Sequence, residues 1–240
     1  MNVVEEHKDV EEKKCKIVIT RHQEGAADLS AAIHEANPNI ELIYAPVLEI
    51  DNQSDGGYAP IPEDCALITT SRQSKQALKR LMGTGIHTQY TIGMRRGITD
   101  VHSLIAYIER VHDKDVPLVY VRGRNVSHDL TEELTAKGYT IEERIVYEAQ
   151  AAKTLPKDFI AALRAKEINA VTFFSARSAD IFENLIIEAN LTTEFRSIKA
   201  LCLSMQVVNS LTGLPWLEKI PTERKKTAYM VSLIEKIYPD

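Results

Sequence analysis

Two serine pairs with the spacing S-x-x-S stand at Ser71/Ser74 and Ser175/Ser178. Each pair follows a short apolar, β-branched run and opens a stretch with helical spacing, so each sits where a strand turns into a helix. A serine there caps the helix by accepting a bond from a free backbone N–H. The same free N–H groups and hydroxyls also bind carboxylates. One serine alone does not separate capping from binding, but two pairs at equivalent places favour an anion site with two jaws.

Arg21, Arg72, Arg95, Arg96, Arg122, Arg124 and Arg177 lie near the ends of the same strand-like runs. Guanidinium groups so placed suit a polyanion, and solvated surface is the plain alternative. Gly93 and the pair Arg122-Gly123 also follow strand-like runs. Tyr147 closes the extended run 140–147. A packed tyrosine is the ordinary reading. A phenol, protonated at neutral pH with a reference pKa of about 10, also donates a hydrogen bond or a proton to a leaving hydroxyl.

Other chemistries find no support. His34-Glu35 does not continue as HExxH, and the seven histidines show no metal spacing, so no metal site is expected. There is no GxGxxG, Walker A or GxSxG pattern, hence no expectation of a nucleotide cofactor or a hydrolase elbow. Cys15, Cys65 and Cys202 have no CxxC spacing and read as reduced thiols in a cytoplasmic protein. A net charge of −5 argues against nucleic acid as a partner. No apolar run approaches the roughly 18 residues of a membrane span. Residues 1–14 are charged and read as a flexible, solvated tail.

The elements that must position these residues occur twice. The segment 17–47 matches 118–148 without gaps at an offset of 101, aligning Arg21 with Arg122 and Asp28 with Asp129. The run 64–71 matches 168–175 at an offset of 104, and 90–94 matches 201–205 at 111. Strands are expected at 15–20, 40–50, 66–70 and 90–92, with helices at 28–36, 74–82 and 104–112. The second copy repeats the plan and ends in a helix over 224–238, with Ala228, Val231, Ile234 and Tyr238 on its core face. Alternating elements of these lengths predict parallel sheets flanked by helices. Ligands then bind beyond the carboxyl ends of the strands, where Arg21, Ser71, Gly93, Arg122, Gly123, Ser175 and Ser204 fall.

The ordered segments KIVITR (16–21), APVLEI (45–50), LITTSRQS (67–74), VYVRGR (119–124), IVYEA (145–149) and TFFSARS (172–178), with Pro221-Thr222, resemble the uroporphyrinogen-III synthase family. The resemblance runs from about Cys15 to the C-terminus. It departs at the family's two glycine-then-Thr-Ala sites. Here these read Gly93-Met94-Arg95-Arg96-Gly97 and Ser204-Met205-Gln206-Val207-Val208, so both Thr-Ala pairs are missing and Ser204 replaces the second glycine.

The resemblance implies two α/β domains with flavodoxin-like parallel sheets, an internal duplication with exchanged first strands, joined by a two-stranded linker. The first domain would be 15–38 with 149–240, the second 52–139, and the linker strands 39–51 and 140–148. It implies a cofactor-free lyase that closes hydroxymethylbilane to uroporphyrinogen III, inverting the terminal pyrrole through a spiro intermediate and losing water. Such a catalyst works by positioning and differential binding.

In that scheme Tyr147 hydrogen-bonds the departing hydroxyl. Ser71, Ser175, Ser178 and Ser204 bind substrate carboxylates, Arg21 and Arg122 add charge, and Gly93 and Gly123 admit backbone close to the ligand. A monomer is expected, with hand-over of substrate from porphobilinogen deaminase. The alternatives are a non-enzymatic, hinge-type binding module for a small polyanion and a regulatory domain of the same fold.

Overall fold

The computed structural model describes residues 14–51, 61–82, 90–94, 98, 100–126 and 128–239. The expected tail (apart from Lys14), much of the 51–64 connection, and Arg95, Arg96 and Gly97 lie outside the described residues.

Ten strands and eight α-helices alternate along the described chain. In order they are β1 (Lys16–Ile19), α1 (Gln23–Ala36), β2 (Glu41–Tyr44), β3 (Leu48–Asp51), β4 (Ala66–Thr69), α2 (Arg72–Met82), β5 (Tyr90–Gly93), α3 (Val101–Val111) and β6 (Leu118–Gly123). There follow α4 (Leu130–Ala136), β7 (Ile141–Ala151), α5 (Lys157–Arg164), β8 (Ile168–Phe173) and α6 (Ala176–Glu188). A 3-10 turn, β9 (Lys199–Cys202), α7 (Met205–Ser210), β10 (Glu218–Pro221) and α8 (Thr227–Ile237) complete the chain.

The strands form two five-stranded sheets, in the orders β10-β9-β8-β1-β2 and β3-β7-β6-β4-β5. In the first, β1/β2, β1/β8, β8/β9 and β9/β10 all pair parallel. In the second, β4/β5, β4/β6 and β6/β7 do. The α/β class and parallel sheets expected from the sequence are therefore present.

So is the exchange. β1, from the first copy, lies between β2 and β8; its counterpart β6, from the second copy, lies between β7 and β4. The central registers also correspond. Ile17 stands opposite Ala170, and their repeat partners Leu118 and Ala66 stand opposite each other.

The chain divides into two compact units, residues 1–49 with 151–240, and residues 50–150. It passes from one to the other within β3 and at the end of β7. In the first unit, Ile17, Val18 and Ile19 of β1 are wholly buried, as a parallel strand covered on both faces requires. Phe159, Phe173, Phe182 and Phe195 are also wholly buried and meet edge-to-face, with Phe195 and Trp216 4.8 Å apart between ring centroids. Glu183 lies inside this aromatic core, 4% exposed. Its carboxylate accepts hydrogen bonds from Trp216 Nε1 at 2.7 Å and from the backbone N–H groups of Thr212, Gly213 and Leu214. A charge so placed is tolerable only because the N–H groups replace its water. The second unit has its own core, in which Ala66, Ile68, Leu104, Ile108, Leu118, Leu130 and Leu134 are wholly buried.

Four details differ from the sequence reading. The single extended run 40–50 is two strands, because Pro46 has no N–H to offer a sheet, while Ala45 and Val47 bond back to Ile19 and Thr20. Helix α1 starts at Gln23 rather than Asp28, with His22 before it making no side-chain cap bond, so no capping residue signals its start. On α8 the buried residues are Met230 and Ile234, and Ala228 is exposed. Finally β10 adds a strand, and its Pro221 sits at the sheet's edge, where a missing donor costs nothing.

Candidate functional site

In the second unit, the carboxyl ends of β4 and β6 and the middle of β7 border one open pocket of about 570 Å³. That is within the range of small-molecule sites, about 300–1,000 Å³. Thr70, Tyr120, Arg122, Gly123 and Tyr147 line it, with His102 and His128.

The strand register shifts between Arg122 and Gly123, which sets Gly123 opposite Tyr147. A Cβ at Gly123 would lie 2.5 Å from Tyr147 Cζ. The space expected to admit a ligand is thus taken by the phenol ring. Tyr147 Oη lies 3.2 Å from Ser71 Oγ. Ser71 Oγ accepts the Ser74 backbone N–H at 2.9 Å and donates to Ser74 Oγ at 2.9 Å. With the Ser71 proton so committed, the phenol is the donor of the 3.2 Å contact. Ser71 therefore caps the start of α2 and holds the tyrosine at once.

Beside it, Tyr120 Oη is 3.1 Å from Thr70 Oγ1. Tyr120 is only 3% exposed, and burial pushes its phenol pKa up, so it stays protonated. Sequence reasoning missed Tyr120 and Thr70. No local signal marks them, because their contact depends on β4 lying beside β6 in the sheet.

Arg122 is held rather than free. Its Nη2 donates to Glu143 Oε2 at 2.6 Å and its Nη1 to the carbonyls of Gly123 and Arg124 at 3.0 Å each. Its Nε is buried and has no partner among the described residues. Burial would raise the Glu143 pKa, but hydrogen bonds from Arg122 and Thr131 outweigh it and hold the carboxyl below its usual range. Gly93 serves the sheet: a Cβ there would meet the Thr69 carbonyl oxygen at 2.8 Å.

The first unit holds the other four residues. Ser175 caps α6 by accepting the Ser178 N–H at 3.1 Å, and the two hydroxyls are 2.8 Å apart, which matches the Ser71/Ser74 arrangement. Ser204 precedes α7 without capping it, and its Oγ is buried with no partner among the described residues. Arg21 lies over the Phe174 ring at 4.5 Å and donates to Thr227 Oγ1 at 3.4 Å. Burial pushes the Cys15 thiol to about 11 and the Cys202 thiol to about 12, and raises Cys65 as well, so none is a ready nucleophile.

The expectation of no metal site rested on sequence spacing. In the fold, His102, His128 and Glu133 come together from separate segments, with one ligand atom of each within 4.8 Å of the others. Spacing along the chain gave no sign of this.

Residues 45–231, more than half of the chain, match the uroporphyrinogen-III synthase HemD family. The chain belongs to this family. It is an enzyme, a cyclising hydro-lyase that makes uroporphyrinogen III in tetrapyrrole and haem biosynthesis. The non-enzymatic binding-module reading is not favoured by this membership.

Among solved structures, the uroporphyrinogen-III synthetase of Helicobacter pylori 26695 is 16% identical with a TM-score of 0.60, over 93% of this chain and 99% of that one. The wild-type synthase of the extremely thermophilic bacterium Thermus thermophilus is 14% identical over 92% of this chain and 97% of its own, with a TM-score of 0.41. The Helicobacter structure supports the two-domain α/β fold. No curated protein matches the chain. Among the described residues, no helix is long and apolar enough to cross a membrane.

Proposed function

We propose that the cyclisation takes place at the pocket of the second unit, with Tyr147 as the residue that acts on the departing hydroxyl. The observation that carries this is the phenol itself. It lies on the pocket wall, its ring seated over Gly123 and its oxygen held 3.2 Å from Ser71 Oγ.

Hydroxymethylbilane loses its terminal hydroxyl as water. A phenol O–H turned from Ser71 to that oxygen stabilises the charge that develops as the C–O bond breaks. The ring carbon that then attacks is chosen by how the terminal pyrrole is held, which is catalysis by orientation. The substrate is strongly anionic. In the second unit, the Ser71-capped start of α2 suits a carboxylate, while Arg122 would share its guanidinium between Glu143 and the ligand. In the first unit, Arg21, Ser175, Ser178 and Ser204 are proposed as further carboxylate contacts. Gly93 and Gly123 act by keeping strand ends close and the tyrosine in place.

Three wider points belong to the same reading. The enzyme acts in the cytoplasm, which three free thiols support. It works as a monomer, testable by sedimentation. It receives hydroxymethylbilane from porphobilinogen deaminase.

The deciding experiment is an isomer assay. Hydroxymethylbilane is generated with porphobilinogen deaminase, the products are oxidised, and type I and type III porphyrins are separated by chromatography. The wild-type chain yields mostly type III. Tyr147→Phe is expected to lose about 10²-fold in turnover, the low end of general-acid contributions, with an unchanged circular dichroism spectrum. Unchanged turnover in that variant removes Tyr147 from the mechanism.

A further inference from the structure

We propose that His102, His128 and Glu133 form a binding site for a divalent transition-metal ion of the zinc class on the wall of the second unit's pocket. Three segments meet here. His102 is the second residue of α3, whose start is locked by a capping box: Asp100 accepts the Ser103 N–H at 2.8 Å and the Ser103 hydroxyl accepts the Asp100 N–H. Glu133 is on the first turns of α4, whose cap Asp129 accepts the Glu132 N–H at 2.9 Å. His128 immediately precedes that cap. The helix starts that carry His102 and Glu133 are therefore held in place before any ligand arrives.

The side chains are close to a ligating arrangement. His128 Nε2 is 2.9 Å from Glu133 Oε2. The rings of His102 and His128 are 5.2 Å apart at 73°. One ligand atom from each of the three residues lies within 4.8 Å of the others. Zinc bonds of about 2.0–2.2 Å in a tetrahedron put neighbouring donors roughly 3.3 Å apart. Small rotations of the exposed His102 side chain reach that spacing.

The donor set selects the ion. Two imidazoles and one carboxylate suit zinc, cobalt(II) or nickel(II) rather than magnesium or calcium, which take oxygen ligands. Three protein donors leave at least one position open. His102 and His128 both line the pocket, so that position faces it and would take an anionic oxygen such as a carboxylate. No step of the cyclisation is assigned to the ion, and binding is measured without substrate, so the outcome does not depend on where cyclisation occurs.

The plain rival is a solvated His128–Glu133 hydrogen bond, each side chain about one third exposed (33% and 34%), that binds nothing. Calorimetric titration of the full chain, free of any affinity tag, with zinc chloride separates the two. One saturable equivalent is expected. His102→Ala and His128→Ala should each weaken it at least about tenfold. His34→Ala, on an exposed residue of the other unit, should leave it unchanged. Because His102 is exposed and makes no core contact, its alanine variant keeps the fold, as circular dichroism will verify. Absence of saturable binding, or full affinity retained in His102→Ala, overturns the proposal.

Discussion

Tyr147 and Gly123 stand opposite each other on β7 and β6, and the phenol ring occupies the volume in which a Gly123 side chain would begin, 2.5 Å from Cζ. The contact is with a ring fixed by its own strand and by Ser71, not with the end of a flexible chain. Gly123→Ala must therefore displace the tyrosine. We expect turnover in the isomer assay to fall towards that of Tyr147→Phe, with a stability loss of about 1–3 kcal/mol from overpacking. Retention of wild-type turnover would show that the ring can move without consequence.

Ser71 and Ser175 cap their helices alike, so Ser71→Ala and Ser175→Ala should each cost about 1 kcal/mol in denaturant unfolding. Ser71, unlike Ser175, meets the Tyr147 hydroxyl, with Oγ and Oη 3.2 Å apart. Ser71→Ala is therefore expected to lower kcat beyond what the shared loss of stability explains. A kcat unchanged from wild type in Ser71→Ala would separate Ser71 from the tyrosine.

Glu143 links Arg122 to Thr131, and its pKa in the folded chain is lowered. A carboxyl with a depressed folded pKa contributes stability above its unfolded value, about 4.3. That contribution disappears as pH falls through the folded value. Glu143→Gln should be less stable than wild type at pH 7 by about 1.5–3 kcal/mol, the range for hydrogen bonds to charged groups. The two should converge in acid. Thermal unfolding from pH 7 to pH 3 measures the gap, and a gap that stays constant would contradict the assignment.

In the first unit, the buried Glu183 carboxylate gathers three backbone N–H groups and the Trp216 indole N–H. A glutamine keeps one acceptor oxygen and turns an NH2 group towards donors. We expect Glu183→Gln to lose about 3 kcal/mol, seen as a lowered denaturation midpoint with changed Trp216 fluorescence. A neutral result would mean that the 212–216 loop repositions at little cost.

What the sequence revealed followed from what repeats in it. Buried parallel strands are runs of branched apolar residues, so β1, β4, β6 and β8 stand out, and their alignment in pairs exposes the duplication; the exchange of β1 and β6 follows only from the family resemblance and appears in the sheet orders. The S-x-x-S pairs were legible because capping is local chemistry. Features that depend on distant partners were not. No local signal shows that Glu143 neutralises Arg122, that Tyr147 fills the space beside Gly123, or that His102 and His128, from different segments, have rings 5.2 Å apart. The first turn of helix α1 leaves no local sign either, because no side chain caps it.

The exchanged strands also set an order of events at the ribosome. β1 emerges first, yet its neighbour β8 begins at residue 168, about 150 residues later, with β9 and β10 behind it. Residues 50–150 form one continuous unit and can close their sheet while that later chain is still being made. The buried face of β1 must meanwhile wait unpaired on its far side, with Ile17, Val18 and Ile19 in need of cover. Truncations ending before residue 168 are therefore expected to hold a folded central segment and an N-terminal strand prone to bind chaperones or aggregate.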